Sequence, residues 1–368
     1  ENVLTLTDTG RLGLGTSSPW AKFSLEYLDG VDTGARFSVG SSSEQNLAVA
    51  EDGLVGIGTT TRPSFAESAK LVVAEGGVVN TPASAPQEVA AISDNEYSHT
   101  ANNTATGLDS AQFVTVAGRY AYVAASSDDA LVIIDISDPQ SPTEVGVICE
   151  SGSGCSNDTA TGLNGAYSVT VAGRYAYVAS QVDDALAIIN VSDPANPTEV
   201  GVICDDEGTT CTNNTATGLD FAFSVTVAGR YAYVASFLDD ALAIIDVSDP
   251  TNPTEVGVIC DDEGTTCTNN TATGLDGANS VTVAGRYAYV ASFNDDALAI
   301  IDVSDPTNPT EVGVICDSGS GTCTNNTATG LNGARSVTVA GRYAYVAGAN
   351  DDALAIIDVS DPTNPTEV

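Results

Sequence analysis

The residues of this chain that could do chemistry begin with its cysteines. The segment CDDEGTTCTNNTATGLD occupies residues 204 to 220 and returns at 260 to 276. Four such segments hold all eight cysteines, as Cys149 and Cys155, Cys204 and Cys211, Cys260 and Cys267, and Cys316 and Cys323. Zinc would favour C-x2-C spacings or histidine ligands, and the only histidine is His99.

An earlier copy of this segment indicates how the cysteines pair. ISDNEYSHTANNTATGLD carries Ser93 and Thr100 where the two cysteines would stand. Because both cysteines are absent together, we predict a disulfide bond within each pair. Disulfide bonds persist outside the cytoplasm, which predicts an extracellular or cell-surface location.

Each copy of the segment also carries N-x-T, the acceptor sequence for N-linked sugar. These asparagines are Asn102, Asn157, Asn213, Asn269 and Asn325. We predict glycosylation at these sites. The alternative is that asparagine and threonine serve only as good loop formers.

Carboxylates recur as Asp-Asp pairs. They are Asp128 and Asp129, Asp183 and Asp184, Asp239 and Asp240, Asp295 and Asp296, and Asp351 and Asp352. Calcium needs roughly six to eight converging oxygens, and the interleaved D-x-D-x-D spacing of a self-contained site is absent. We therefore expect turn formers and solvated surface, with calcium at these pairs as the alternative and no other cofactor.

A catalytic constellation is not evident among these residues. The repeated part of the chain contains no lysine and, within the repeats, no histidine, so no Ser-His-Asp or Cys-His set exists there. Two carboxylates could serve a glycosidase, but no pair differs from its copies. We predict that the chain is not an enzyme and keep a hydrolase as the least favoured alternative.

The overall composition limits the partners. The chain has 49 acidic against 11 basic residues among 368, a formal net charge of -38. Such a surface repels nucleic acid and anionic membranes. No apolar run is long enough to span a bilayer, so we predict neither nucleic-acid binding nor membrane insertion. The 42% of hydrophobic residues indicates a folded protein.

These residues must be positioned by a repeated unit. VTVAGRYAYVA occurs five times, with its arginine at Arg119, Arg174, Arg230, Arg286 and Arg342. Each unit contains four strand-like segments of β-branched and aromatic residues, namely VTV, YAYVA, ALAIID and TEVGVIC. Ala-Gly-Arg between the first two fits a hairpin turn. Five such units predict an all-β, five-bladed β-propeller.

YAYVA followed by LAIIDVSDPTNPTEVG resembles the LVIVD-repeat β-propellers, which occur in many secreted and surface-attached prokaryotic proteins. The resemblance covers roughly residues 86 to 368. It implies the fold and carries no shared chemistry.

The ends of the repeated region suggest how the propeller closes. PQEVAAIS at 86 to 93 matches PTEVGVIC, and the last unit stops at PTEV, residues 365 to 368. We expect the early segment to complete the fifth blade of its own chain. The alternative is that it completes a blade of a neighbouring molecule and builds a filament. The residues concerned are Glu88, Val89, Ala90, Ala91, Ile92 and Ser93.

Residues 1 to 75 contain a different, looser repeat. LGLGTSSPWAKFSLE is similar to the GIGT-x-x-P-x-A-K-L repeats of phage tail-fibre shafts and bacterial surface proteins. That resemblance implies a thin β-stalk, often trimeric, and a small core also favours association. We therefore predict a stalk or assembly domain at 1–75, a linker at 76–87 and the propeller at 88–368, with self-association as a filament or trimer through residues 1–93.

Differences between the units concentrate before the first strand and between the second and third strands, on one predicted face. The candidate ligand-binding residues there are Gln112, Tyr167, Phe223, Asn279, Arg335, Phe237 and Phe293. Such side chains could bind a carbohydrate or a protein. The alternative is drift at exposed positions.

The sequence thus favours a secreted structural or adhesive protein, a subunit of an extracellular filament or surface appendage. A monomeric ligand-binding propeller is the alternative.

Overall fold

The computed structural model describes residues 88–94, 103–153, 155–205, 211, 213–261, 267, 269–319, 323 and 325–368, with the backbone of six short strands before residue 88. The chain divides into two compact units, Glu1–Glu88 and Val89–Val368. Among the described residues no helix is long and apolar enough to cross a membrane.

The strands of the first unit are β1 (Val3–Leu6), β2 (Leu12–Gly15), β3 (Phe37–Gly40), β4 (Gln45–Val49), β5 (Val55–Ile57) and β6 (Leu71–Val73). Strand β1 pairs with β2, and β3 to β6 form one sheet in chain order. The side chains on which the shaft resemblance depends, and the predicted linker, lie outside the described residues.

The second unit begins with β7 (Ser93–Asp94), which pairs in parallel with β8 (Asn103–Ala105). Five sheets follow, which we number as blades 1 to 5. Blade 1 contains β9 (Ala111–Ala117), β10 (Tyr120–Ala125), β11 (Ala130–Asp135), β12 (Thr143–Glu150) and β13 (Asp158–Ala160); blade 2 contains β14 (Ala166–Ala172), β15 (Tyr175–Ser180), β16 (Ala185–Asn190), β17 (Thr198–Asp205) and β18 (Asn214–Ala216).

Blade 3 contains β19 (Ala222–Ala228), β20 (Tyr231–Ser236), β21 (Ala241–Asp246), β22 (Thr254–Asp261) and β23 (Asn270–Ala272); blade 4 contains β24 (Ala278–Ala284), β25 (Tyr287–Ser292), β26 (Ala297–Asp302), β27 (Thr310–Asp317) and β28 (Asn326–Ala328); blade 5 contains β29 (Ala334–Ala340), β30 (Tyr343–Gly348), β31 (Ala353–Asp358) and β32 (Thr366–Glu367). The predicted all-β class and the five blades are confirmed.

The predicted strand order within a blade is also correct. The first four strands of each blade are antiparallel neighbours in chain order. The glycine of every Ala-Gly-Arg turn has a φ between 62° and 65°, a conformation that glycine adopts without a steric penalty.

A fifth strand in blades 1 to 4 was not predicted. It runs parallel to the fourth strand, and in blade 3 it aligns Asn270 with Cys260. The disulfide bond between Cys260 and Cys267 returns the chain beside β22, where the backbone of Asn-Thr-Ala can pair. The segment expected to be a loop is therefore partly sheet.

The hydrophobic core lies between the blades. Leu186 and Ile188 of blade 2 pack against Val234 and Ile245 of blade 3, and all four side chains are fully buried. Alternate residues of one strand face opposite sides of the sheet, so each blade contributes to two such layers. Four equivalent layers join blades 1 to 5 in a row.

The two ends of the row remain uncovered. Val114 of blade 1 is 57% exposed, whereas the equivalent Val169 of blade 2 is 0% exposed. Leu354 of blade 5 is 65% exposed, whereas the equivalent Leu298 is 0% exposed. Neighbouring first strands pack from β9 to β29 in succession, and among the described residues no comparable packing joins β29 back to β9. Among the described residues the fold is propeller-like, with five blades in a row.

Candidate functional site

The predicted disulfide bonds are all present. They join Cys149 to Cys155, Cys204 to Cys211, Cys260 to Cys267, and Cys316 to Cys323, and no cysteine is free among the described residues. In blade 3 the bonded pair packs against Ala241 and Val258 of the sheet. Each bond therefore fastens the return segment to the end of the fourth strand.

The sequon asparagines connect neighbouring blades. The Asn213 side-chain amide Nδ2 donates to the carbonyl oxygens of Val202 in blade 2 and Pro253 in blade 3, both at 3.2 Å. Its Oδ1 accepts a hydrogen bond from Thr215 Oγ1 at 2.9 Å. Asn157, Asn269 and Asn325 donate in the same way to Pro197, Pro309 and Pro365. The atom that would carry a sugar is thus engaged between blades; glycosylation stays a prediction, and Asn102 lies outside the described residues.

The Asp-Asp pairs also hold blades together. Asp183 accepts a hydrogen bond from the backbone of Asn164 in its own blade at 2.9 Å. Asp184 accepts one from the backbone of Phe221 in the next blade at 2.9 Å. The second aspartate has a φ near 52°, in the left-handed region that aspartate tolerates better than most residues.

These hydrogen bonds give the aspartates a structural role. Among the described residues no three cysteine, histidine or carboxylate side chains converge as metal ligands. Calcium at the pairs stays a prediction.

Burial raises the pKa of carboxylates at the junctions between blades. The pKa of Asp240 is raised to about 7, mainly by burial and in addition by repulsion from the neighbouring Asp276 and Asp261 carboxylates, while the hydrogen bond from the Gly277 backbone N–H lowers it. Burial likewise raises the pKa of Glu150 to about 7, with Asp183 and Glu199 adding repulsion. The junctions between blades therefore bind protons more tightly than exposed carboxylates do.

Five aromatic rings meet on the face formed by the connections before the first strand and between the second and third strands. They belong to Tyr167, Phe221, Phe223, Phe237 and Phe293, and we call them the aromatic patch. Ring centroids of Tyr167 and Phe223 are 4.3 Å apart, and those of Phe237 and Phe293 are 6.5 Å apart. The rings are half-buried. The patch crosses blades 2 to 4 and offers apolar surface with π-faces.

A cation already lies on one edge of this patch. The Arg335 guanidinium sits 4.7 Å from the centroid of the Phe293 ring. The side-chain amide of Asn279 donates to the Arg335 carbonyl oxygen at 2.8 Å. Five of the seven predicted ligand-binding residues thus meet in one region, with Asn279 beside them. Gln112 instead bonds Ser126 in blade 1.

Phe221 is the member of the patch that the sequence reasoning missed. Its φ is 58°, at the position where Gly165, Gly277 and Gly333 stand in other blades. A bulky residue in this region is strained, by roughly 1–3 kcal/mol, and such strain concentrates at functional sites. Comparing blades for a lost turn glycine would have identified it.

The segment predicted to complete a blade lies against blade 1. Ile92 packs with Val132 and Ile134 on the outer face of that blade, and Ser93–Asp94 pairs with β8. In blade 5, β31 pairs with β30 and β32. The segment 88–93 and the edge of β31 are therefore not paired with each other in this conformation.

Comparison with known proteins adds a family and a fold. A family model described as LVIVD repeat matches residues 109–149, 165–205, 221–261, 277–317 and 333–368. These segments make up more than half of the chain. No curated protein matches the sequence.

Solved structures match this chain at low sequence identity. A "putative 6-phosphogluconolactonase" from Bacteroides fragilis shares 15% identity with a TM-score of 0.50, over 69% of this chain and 68% of that chain. A protein from Lactobacillus plantarum shares 16% identity with a TM-score of 0.50, over 70% of each chain. The periplasmic gluconolactonase of Pseudomonas aeruginosa shares 15% identity with a TM-score of 0.49, over 68% and 66%.

These neighbours correct one prediction. The prediction that the chain is not an enzyme, which was based on its repeats, is wrong. A chain of the same fold is named as a lactonase. The fold itself therefore does not exclude a hydrolase. The likeness shows a shared fold, and no catalytic residue is transferred to this chain.

Proposed function

We propose that this chain, which belongs to the LVIVD-repeat family, is an extracellular structural or adhesive protein that associates with further copies of itself. The observation that carries the proposal is the uncovered face of blade 1. Val114 and Val116 are 57% and 61% exposed, whereas Val169, the equivalent of Val114 in blade 2, is fully buried. Large exposed apolar groups favour association.

The disulfide bonds and the net negative charge support the extracellular part of the proposal. Four disulfide bonds occur in a chain with no free cysteine among its described residues. Such bonds are stable in oxidising surroundings. The net charge of -38 keeps the flanks of an assembly soluble, and added salt should ease the approach of two copies.

The test is electron microscopy of the whole chain, purified under oxidising conditions and examined over a range of concentrations. Linear stacks longer than one chain, becoming more frequent with concentration and salt, are expected. Isolated single particles under every condition would refute self-association. Recovery of the protein from the cell exterior in its native host tests the location.

A second candidate function is ligand binding at the aromatic patch. The strained Phe221 favours it, because a glycine would serve the turn at lower cost, as in blade 4. Stacking on aromatic rings is a common mode of carbohydrate binding. A glycan array should then show binding that Phe223→Ala abolishes. Leu238→Ala, which alters an exposed apolar side chain in the same face, is the matched control. Equal binding by both variants would exclude the patch as the site.

A further inference from the structure

We propose that the aromatic patch binds an arginine side chain of a basic partner protein, with the guanidinium lying over the rings of Phe221, Phe223 and Phe237. This inference rests on the second candidate function, ligand binding at the patch, and gives the charge and the chemical class of the ligand. The occupant is thus an exposed basic segment of another protein.

The first observation is the spacing of three rings beside blade 3. The ring centroid of Phe223 lies 5.4 Å from that of Phe221 and 5.5 Å from that of Phe237, and the other two centroids are 6.4 Å apart. A charge about 4 Å above this triangle would lie within about 6 Å of all three centroids, which is the range of a cation–π contact. The rings are half-buried and inclined to one another by between 50° and 58°. One guanidinium can therefore contact all three rings.

The second observation is a guanidinium that the patch already holds. The Arg335 guanidinium lies 4.7 Å from the centroid of Phe293. That ring is the neighbour of Phe237, at 6.5 Å between centroids. Within residues 88–368, Arg335 is the only arginine or lysine outside the Ala-Gly-Arg turns. The one such side chain at this end of the blades is therefore placed on a ring of the patch.

The third observation is that the same contact recurs at the Ala-Gly-Arg turns. In each turn the guanidinium lies 4.8–5.3 Å from the ring centroid of the tyrosine that follows it. These arginines are Arg119, Arg174, Arg230, Arg286 and Arg342. All six arginines of residues 88–368 thus lie over aromatic rings, which shows that guanidinium and ring are compatible partners on this surface.

The fourth observation is the charge around the rings. Asp220 directly precedes Phe221, and Asp184 accepts a hydrogen bond from the Phe221 backbone N–H at 2.9 Å. The Asn294 side-chain amide, next to Phe293, donates to Asp276 at 2.8 Å. Because consecutive turns of an antiparallel blade lie at opposite ends, the Ala-Gly-Arg arginines are remote from the patch. The charged residues of blades 2 and 3 at this end are therefore all acidic, and they favour a cation on the rings.

A pair of carboxyl groups below the patch supports this preference. Asp184 and Asp220 are hydrogen-bonded to each other through their side chains. Burial raises the pKa of both groups, that of Asp184 to about 6, and the Asp205 carboxylate adds repulsion. Two carboxyl groups in contact retain a proton because their charges repel each other. A guanidinium over the neighbouring rings would offset the same repulsion.

The patch is also bounded by polar residues. At the position of Phe223, blades 1 and 4 carry Gln112 and Asn279, and at the position of Phe237, blade 1 carries Ser126. An apolar centre with a polar rim is typical of a surface that recognises a partner. The net charge of -38 would draw a basic protein toward this surface and repel an acidic one.

The test measures binding of a fluorescein-labelled peptide of alternating arginine and glycine to the whole, disulfide-bonded chain. A matched peptide carries citrulline, which has the shape of arginine without its charge, and a third carries glutamate. Fluorescence anisotropy at low and at physiological salt gives the Kd of each peptide. Circular dichroism of every variant verifies folding.

The variants introduce residues that other blades already carry at the same position. Phe221→Gly follows Gly277, Phe223→Asn follows Asn279, and Asp220→Asn follows Asn164. The control is Leu238→Asn, which follows Asn294 and removes an exposed apolar side chain from the same face without removing a ring.

We expect the arginine peptide to bind at least tenfold more tightly than the citrulline or glutamate peptide. Each ring variant should weaken its binding about three- to tenfold, and the control should bind normally. Asp220→Asn should weaken binding of the arginine peptide and leave that of the citrulline peptide unchanged. Equal binding by the ring variants and the unaltered chain would mean attraction by net charge alone and would overturn the inference, as would equal binding of arginine and citrulline.

A glycan array on the same variants separates this inference from the function on which it rests. If a neutral glycan binds through Phe223 and the arginine peptide does not bind, the cationic ligand is overturned and ligand binding at the patch stands. If neither the glycans nor the arginine peptide bind, both fail.

Discussion

Removing one disulfide bond gives the clearest quantitative prediction for stability. The double variant Cys260→Ala, Cys267→Ala deletes a bond that closes a loop of sequence separation 7. For a loop of about eight residues the chain-entropy relation gives about 8 cal/mol/K, or about 2.5 kcal/mol at 25 °C. In a unit of this size that corresponds to a fall in thermal midpoint of roughly 5–10 °C.

The assay is thermal and denaturant unfolding of the variant beside the unaltered chain, each with and without reductant. Because each blade contacts only its neighbours, hydrogen exchange in β22 and β23 should rise more than exchange in blade 1. Reductant should destabilise the unaltered chain further than it destabilises the variant, which has three bonds left to lose. Equal midpoints for the variant and the unaltered chain would refute the view that the loops stabilise the blades.

Two further predictions concern the junctions between blades. Since the folded-state pKa values of Glu150 and Asp240 lie near 7, above those of the unfolded chain, folding takes up protons between about pH 4 and 7. Stability should therefore fall as pH rises from about 4 to 7, and a flat or rising thermal midpoint over that range would contradict this. A Cβ at Gly257 would lie against the Pro306 carbonyl oxygen, so Gly257→Ala should cost about 1–3 kcal/mol in denaturant unfolding. Gly319→Ala, at an exposed and open position, should change stability by less than about 0.5 kcal/mol.

Much of the fold is predictable because the repeats carry strong local signals. The alternating YAYVA and ALAIID segments, the turn glycine and the proline stops are all local, and each is repeated five times. The disulfide pairing follows from one further comparison, since Ser93 and Thr100 replace a cysteine pair together. Local residue chemistry and internal repetition therefore suffice to predict the strands and the disulfide bonds.

Contacts between blades are harder to predict, because they join residues far apart in sequence. Asn213 bonds Pro253 forty residues later, and Asp184 bonds Phe221 thirty-seven residues later. From sequence these residues are typical of a sugar site and a surface turn. Only the packing of the blades shows that Asn213 and Asp184 also form hydrogen bonds to the next blade.

The open ends could not be predicted from the repeat pattern either. Leu354 has the same neighbours in sequence as Leu298, yet one is exposed and the other fully buried. The difference depends on whether another blade follows in space, which no local pattern records. The candidate ligand residues were partly predictable, because Tyr167, Phe223, Phe237 and Phe293 break the repetition.

The central claim is that this chain associates with further copies of itself. Sedimentation velocity of the whole chain over a range of concentrations, with and without added salt, tests it without any substitution. We predict a sedimentation coefficient that rises with protein concentration and with salt. The coefficient of a single copy at every concentration would contradict the account.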